Sequence, residues 1–258
     1  MQRTILAVFL FFTLSSIAQQ TPPPATQALK SAPSSESNTS TTHELDTQAI
    51  VKETEQVEVL RHTMGVFWWV PTEFWEAAVR KQGYSSEEAH KVFLPFRGYN
   101  VFIVAVGDLG VGNSSWIGEL DLKKSLVLRD QHGNSYKALA EVPSDVRAIV
   151  EVMKPVLKNM LGNFGEGLQF VVFPARDPGG NVFADPLRSS EISLDVADLM
   201  GMPTRTYTWR LPLSSLLPPK YCPVGKEKVE ANWKYCPWHG NKLQEDAAPT
   251  KAAVPTNP

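Results

Sequence analysis

The chain has few of the residues that build cross-linked scaffolds: its 258 residues include only two cysteines, Cys222 and Cys236. That excludes a disulfide-dense fold. An excess of charge of one sign is also lacking. With 25 basic and 27 acidic residues the formal net charge is −2, and no basic stripe marks a nucleic-acid partner. No apolar run reaches the roughly 20 residues that a bilayer-spanning helix needs. There is no His-Glu-x-x-His, no Gly-x-Ser-x-Gly and no phosphate loop, so the commonest hydrolase and nucleotide-binding motifs are missing. Gly107-Asp108-Leu109-Gly110-Val111-Gly112 is glycine-rich, but no helix follows it, and it reads as a loop between strands.

What is present begins with an export signal. Arg3 supplies positive charge, Ile5 to Leu14 are apolar, and Ser16 and Ala18 place small side chains before a cleavage point at Gln19. Residues 1–18 are thus expected to be a signal peptide, which makes the mature protein periplasmic or secreted, with no membrane span. Residues 19–44 are rich in Pro, Ser and Thr and 244–258 in Ala, Pro and Thr. With little apolar surface to bury, both are expected to be disordered, one a stalk and the other a tail. Asn38 and Asn113 open glycosylation acceptor triplets, which matter only in a eukaryotic host.

Residues 45–218 carry the periodicities of a core. Pro71, Phe74, Trp75, Ala78 and Val79 fall at helical spacing with Gly83 as a stop, and Ser85 with Glu88 forms a capping-box pair before a second helix. Residues 45–64 show a thin helical stripe (Ile50, Val57, Leu60, Met64). Tyr99 to Val106 reads as a strand buried on both faces. Leu126 to Ala138 reads as a hairpin turning at Gly133, and Asp177-Pro178-Gly179-Gly180 as a type II turn. Ile192, Leu194 and Val196 alternate, as do Tyr207, Trp209 and Leu211, and Pro212 confines that last strand to an edge. A helix capped by Ser144, kinked by Pro155 and ended by Gly162 is inserted between strands. The expected class is α+β, mainly β: an antiparallel immunoglobulin-like β-sandwich with N-terminal helices, one inserted helix and a small appendage at 219–243.

The core offers no catalytic set. His43, His62, His90 and His132 are scattered over stalk, helices and a turn. Asp108, Asp121, Asp130 and Asp185 cluster near turns, where aspartate caps backbone groups. A hydrolase of cell-wall or extracellular polymer would need two such carboxylates together in a cleft. Phe67, Trp68, Trp69, Phe74 and Trp75 are assigned to core packing rather than to a sugar platform.

In the appendage, Tyr221-Cys222-Pro223-Val224-Gly225 and Tyr235-Cys236-Pro237-Trp238-His239-Gly240 resemble the two knuckles of a short zinc ribbon, a family whose knuckles read Cys-Pro-x-Cys-Gly. The first knuckle lacks its second cysteine and is read as one residue short; in the second, His239 replaces cysteine. The resemblance implies zinc ligands at Cys222, Cys236 and His239, with Glu227, Glu230, water or another chain open as the fourth. In an oxidising compartment two cysteines usually pair, so a Cys222–Cys236 disulfide with no cofactor is preferred and zinc is the alternative. The expected role is non-catalytic binding, to another envelope protein or a surface polymer. A zinc-binding module that docks a partner and the hydrolase are the alternatives. Protein recovered from an expressing host should begin at Gln19, which N-terminal mass analysis checks; an intact Met1 would refute the cleavage site.

Overall fold

The computed structural model of the chain describes residues 45–110 and 114–245. The expected signal peptide, the whole of the expected stalk, nearly all of the expected tail, and both acceptor asparagines lie outside the described residues. The protein is α+β, with antiparallel sheets and few helices. In chain order come α1 (Thr47–Thr54), β1 (Glu55–Leu60), β2 (Thr63–Trp69), α2 (Thr72–Arg80), α3 (Ser86–Phe93) and β3 (Tyr99–Asp108). Then follow β4 (Ser115–Trp116), α4 (Glu119–Ser125), β5 (Leu126–Arg129), β6 (Ser135–Lys137) and α5 (Ser144–Leu161). The chain continues through β7 (Gln169–Pro174), β8 (Ser190–Val196), β9 (Arg205–Leu211), β10 (Lys220–Tyr221), β11 (Lys228–Val229) and β12 (Gln244–Glu245).

One sheet runs β1-β2-β3 as a meander, with β4 and β7 pairing different stretches of β3; the second runs β6-β5-β8-β9. Strand alternation decides how they stack. Phe67, Trp69, Phe102, Val104 and Phe173 of the first sheet share a core with Leu128, Ile192, Leu194 and Trp209 of the second. The opposite face of the first sheet, with Val101, Ile103, Phe170 and Val172, is covered by Trp75, Phe93, Phe96, Val146 and Val150 from the helical segments. The architecture is therefore helices on sheet on sheet. β3 is buried on both faces because it lies in the middle layer. Trp68 and Trp69 point to opposite faces, Trp69 into the inter-sheet core and Trp68 against the helix-side cluster, so the aromatic run is core. Trp116 fills a slot that exists because Gly107 and Gly167 have no side chain; a Cβ at either would overlap the indole.

The structure corrects three local expectations. The thin stripe over 45–64 is helical only to Thr54, after which β1 and β2 form a hairpin. A six-residue strand with sheet partners outcompetes a stripe with so few apolar contacts. In α5 the cap position belongs to Pro143, which makes no side-chain cap, and Ser144 is already helical. At Asp177–Gly180 the positive φ falls on Gly180 (+83°) and not on Gly179, so the turn is not type II. Elsewhere the Ser85–Glu88 capping box is formed, Gly133 turns at φ +82°, and β9 lies at a sheet edge.

α1 ties the layers together at its last turn. The fully buried Thr54 donates its hydroxyl to the Ile50 carbonyl (2.8 Å) and accepts the Trp68 indole N–H at the same oxygen (3.0 Å). Its carbonyl accepts the Trp209 indole N–H from the other sheet at 2.7 Å. Beside it, the Glu53 carboxylate accepts the backbone N–H groups of Ser214 and Ser215 at 2.6 and 2.9 Å. Thr54→Val keeps the shape and removes the hydroxyl, leaving the Trp68 N–H unpaired. The expected cost is about 1–3 kcal/mol in urea unfolding. Thr54→Ser, which keeps the acceptor, should cost about 1 kcal/mol or less, the value of one methyl. Equal midpoints for wild type and Thr54→Val would refute the joint.

Candidate metal centre

The third sheet, β11-β10-β12, is small, and two turns project from it. They share one hydrogen-bond frame. In the first, the Lys226 N–H donates to the Cys222 carbonyl (3.0 Å) and the Cys222 N–H to the Glu227 carbonyl (2.9 Å). In the second, the Gly240 N–H donates to the Cys236 carbonyl (2.8 Å) and the Cys236 N–H to the Asn241 carbonyl (2.8 Å). Each turn closes on a left-handed residue, Lys226 at φ 60° and Gly240 at φ 67°. The two turns therefore have equal length, which corrects the expectation of a shortened first turn. By this register Gly225 occupies in the first knuckle the place of His239 in the second.

The space opposite Gly225 is filled. A Cβ at that position would overlap the Glu227 carboxylate, which folds back over the glycine. The result is a cluster of Cys222, Glu227, Cys236 and His239 whose donor atoms all lie within 4.8 Å of one another. His239 Nδ1 stands 3.3 Å from Cys222 Sγ, 3.5 Å from Cys236 Sγ and 3.5 Å from Glu227 Oε1, and Cys236 Sγ stands 3.7 Å from the same Oε1. Ligands on a tetrahedral zinc ion, at bond lengths near 2.0–2.3 Å, are separated by about 3.3–3.8 Å. All four distances fall in that interval. The donor set, two soft sulfurs with one imidazole and one carboxylate, also suits zinc.

The preferred Cys222–Cys236 disulfide is not formed: both cysteines are free and buried. Each sulfur is within reach of the His239 ring instead of being bonded to the other. Burial pushes the Cys236 thiol up, against the lowering effect of the His239 and Trp238 backbone N–H groups, and the neighbouring Cys222 adds to the rise. The Glu227 carboxyl is held below the usual carboxylate range, first by its own backbone N–H, then by the thiols and the His239 ring. Three of these residues were candidates from sequence. Glu227 is one of several possible fourth donors named above, and the signal that singles it out is the shared register of the two turns, which sets Gly225 opposite His239 and leaves room for the Glu227 carboxylate. Glu230, the other acid considered, is not in the cluster and lies on the cleft described below.

The apolar side of the ribbon packs Cys222, Val229, Cys236 and Leu243 with Trp233. It is moored to the end of the sandwich segment by Ala231 N–H to Ser214 Oγ (2.6 Å) and by Asn232 Nδ2 to the Pro212 carbonyl (3.4 Å). The other titratable candidates are engaged locally. Asp130 is buried, which alone would raise its pKa. The bonds it accepts from Asn134, Tyr136 and His132 outweigh that and hold it low. Asp185 accepts the Leu187 N–H and pairs with Arg188, Asp121 pairs with Lys124, and His90 with Glu76. Asp108 keeps one buried oxygen without a partner. His62 and His132 lie apart from the cluster, and His43 falls outside the described residues.

No family model matches the chain, and no curated protein is similar to it. Among solved structures, a DUF4426 family protein from Pseudomonas aeruginosa PAO1 is similar over 61% of this chain and 93% of that one, at 12% identity and a TM-score of 0.27. Likeness at that level assigns neither fold nor function. Among the described residues no helix is long and apolar enough to cross a membrane.

With both thiols free, alkylation of the denatured, metal-stripped protein without reductant should label both cysteines. A mass that takes up no label would restore the disulfide.

Proposed function

We propose that this chain is an exported binding protein without a catalytic role, whose C-terminal ribbon is held by one zinc ion on Cys222, Glu227, Cys236 and His239. The observation that carries the metal assignment is the convergence of four donors within 4.8 Å of one another, with His239 Nδ1 3.3–3.5 Å from the other three and Cys236 Sγ 3.7 Å from Glu227 Oε1. Four protein ligands close the coordination shell, so zinc bound here supplies folding free energy and no open position for a substrate. The sheet of the ribbon has strands of only two residues, too little to be stable on its own. Bringing the two knuckles onto one ion links the elements that a cysteine at 225 would have linked in a four-ligand ribbon.

Export rests on the apolar run and small residues of 1–18, and the proposed partner is another envelope protein or a surface polymer. The near-neutral charge supports neither nucleic acid nor a strongly charged surface. The immunoglobulin-like description of the sandwich belongs to the same proposal. Two face-to-face antiparallel sheets support it, whereas the β1-β2-β3 meander inside one sheet departs from the strand order of that fold.

Protein prepared in zinc and dialysed should retain one zinc per chain by elemental analysis. Glu227→Ala should lower zinc affinity by at least about tenfold, the loss associated with even an outer-shell partner. Gly225→Cys added to Glu227→Ala should recover it, because the new thiol enters the space the carboxylate leaves. Wild-type protein that holds no zinc after reduction and loading would refute the assignment.

A further inference from the structure

Between the ribbon, α1 and the segment after β9 lies a cleft of about 710 Å³, within the 300–1,000 Å³ range of small-ligand sites. One wall carries two tryptophans. Trp233 is half-buried against the ribbon core, and Trp238 is 66% exposed. Their rings meet edge to face, centroids 5.9 Å apart and planes at 61°, so Trp238 presents its indole as one platform. Exposing so large an apolar ring lowers stability unless something covers it. Its position is set from both sides, since Cys236 and His239, two members of the metal cluster, stand two residues before and one after it.

Around this platform are polar groups that the fold does not use. Lys52 and Lys228 line the cleft and make no ion pair among the described residues. Glu230 lines it too and is exposed. Ser215 Oγ, also in the lining, is buried without a hydrogen-bond partner, although buried hydroxyls are normally satisfied. The Glu53 carboxylate is already occupied by Ser214 and Ser215 N–H groups. The Asp46 carboxylate, also in the lining, caps α1 through the Gln48 and Ala49 N–H groups. Two ammonium groups and three carboxylates, of which Glu230 has no partner among the described residues, give the cleft donors and acceptors of both kinds and no strong field of either sign.

We infer that this cleft is a carbohydrate site that takes a short neutral oligosaccharide, one sugar ring stacked on Trp238 and its hydroxyls bonded to Lys52, Lys228 and Glu230. A pyranose has a C–H-lined face that stacks on an indole and an equatorial rim of hydroxyls that both donate and accept. That pairing matches an aromatic platform ringed by mixed polar groups. A proline-rich peptide is favoured less, because it docks between aromatic ridges that line a groove, and here the crossed rings leave one platform. The inference rests on the binding-protein reading above and names its ligand class.

The test uses the zinc-loaded full chain, titrated with chitotetraose, cellotetraose and maltotetraose and, separately, with a synthetic peptide of residues 19–35. Calorimetry and tryptophan emission are the readouts. Saturable binding of at least one sugar is expected. Trp238→Ala should weaken it roughly tenfold or more, as for other tryptophan anchors, with zinc content and melting temperature unchanged, and Trp238→Phe should keep part of the affinity. Saturable sugar binding by a chain that holds no zinc would support this inference while refuting the metal assignment. No saturable signal from any of these sugars at millimolar concentration, binding indifferent to Trp238→Ala, or saturation by the peptide alone would overturn it.

Discussion

The last turn of α1 is the joint on which the sandwich depends. Two indole N–H groups, one from each sheet, find their acceptors on the single residue Thr54. A buried tryptophan needs a partner for its one donor, and these two have the same one, so neither sheet can slide against the other without stranding a hydrogen bond. Glu53, next in the chain, clamps the turn that leads out of β9. Two consecutive residues thus set both the packing of the two sheets and the direction in which the chain leaves for the ribbon.

That exit matters because the ribbon has almost no core of its own. Four buried apolar or sulfur-bearing side chains and a half-buried tryptophan make up its interior. Its two turns obey the same hydrogen-bond frame, yet they bring different side chains to the cluster. The second brings Cys236 and His239. The first brings Cys222 and a carboxylate two residues beyond Gly225. The glycine and the acid act as a pair: the absent Cβ makes the room and the longer side chain of Glu227 fills it. An aspartate at 227 would be shorter by one methylene and would reach the cluster less well.

Where sequence and structure agree, the signal is local. The Ser85–Glu88 capping box, the positive φ at Gly133 and the alternation in β8 and β9 each depend on contacts within a few residues or on one solvent-facing side. Where they differ, pairing between neighbouring segments has overridden the single-residue signal. Residues 55–60 became a strand because β2 was there to pair with, and the turn at Asp177 took its shape while residues on either side of it joined in a bridge, Arg176 with Val182. Local preference is worth a few tenths of a kcal/mol per residue, and a partner strand outweighs it.

By itself the sequence determined the elements that bury an uninterrupted face and the two-sided burial of β3, and it pointed to three of the four side chains that gather in the C-terminal cluster, because periodicity and Cys-Pro spacing are written in neighbouring residues. It also set the near-neutral net charge. Only the tertiary structure placed both cysteines beside the His239 ring, brought Glu227 and not Glu230 to them, and set Trp238 on a cleft whose other wall comes from α1. The physical reason is the same in each case. A donor's partner is selected by the direction in which a turn aims its side chain and by which volume is left empty, and neither is a property of residues taken in order.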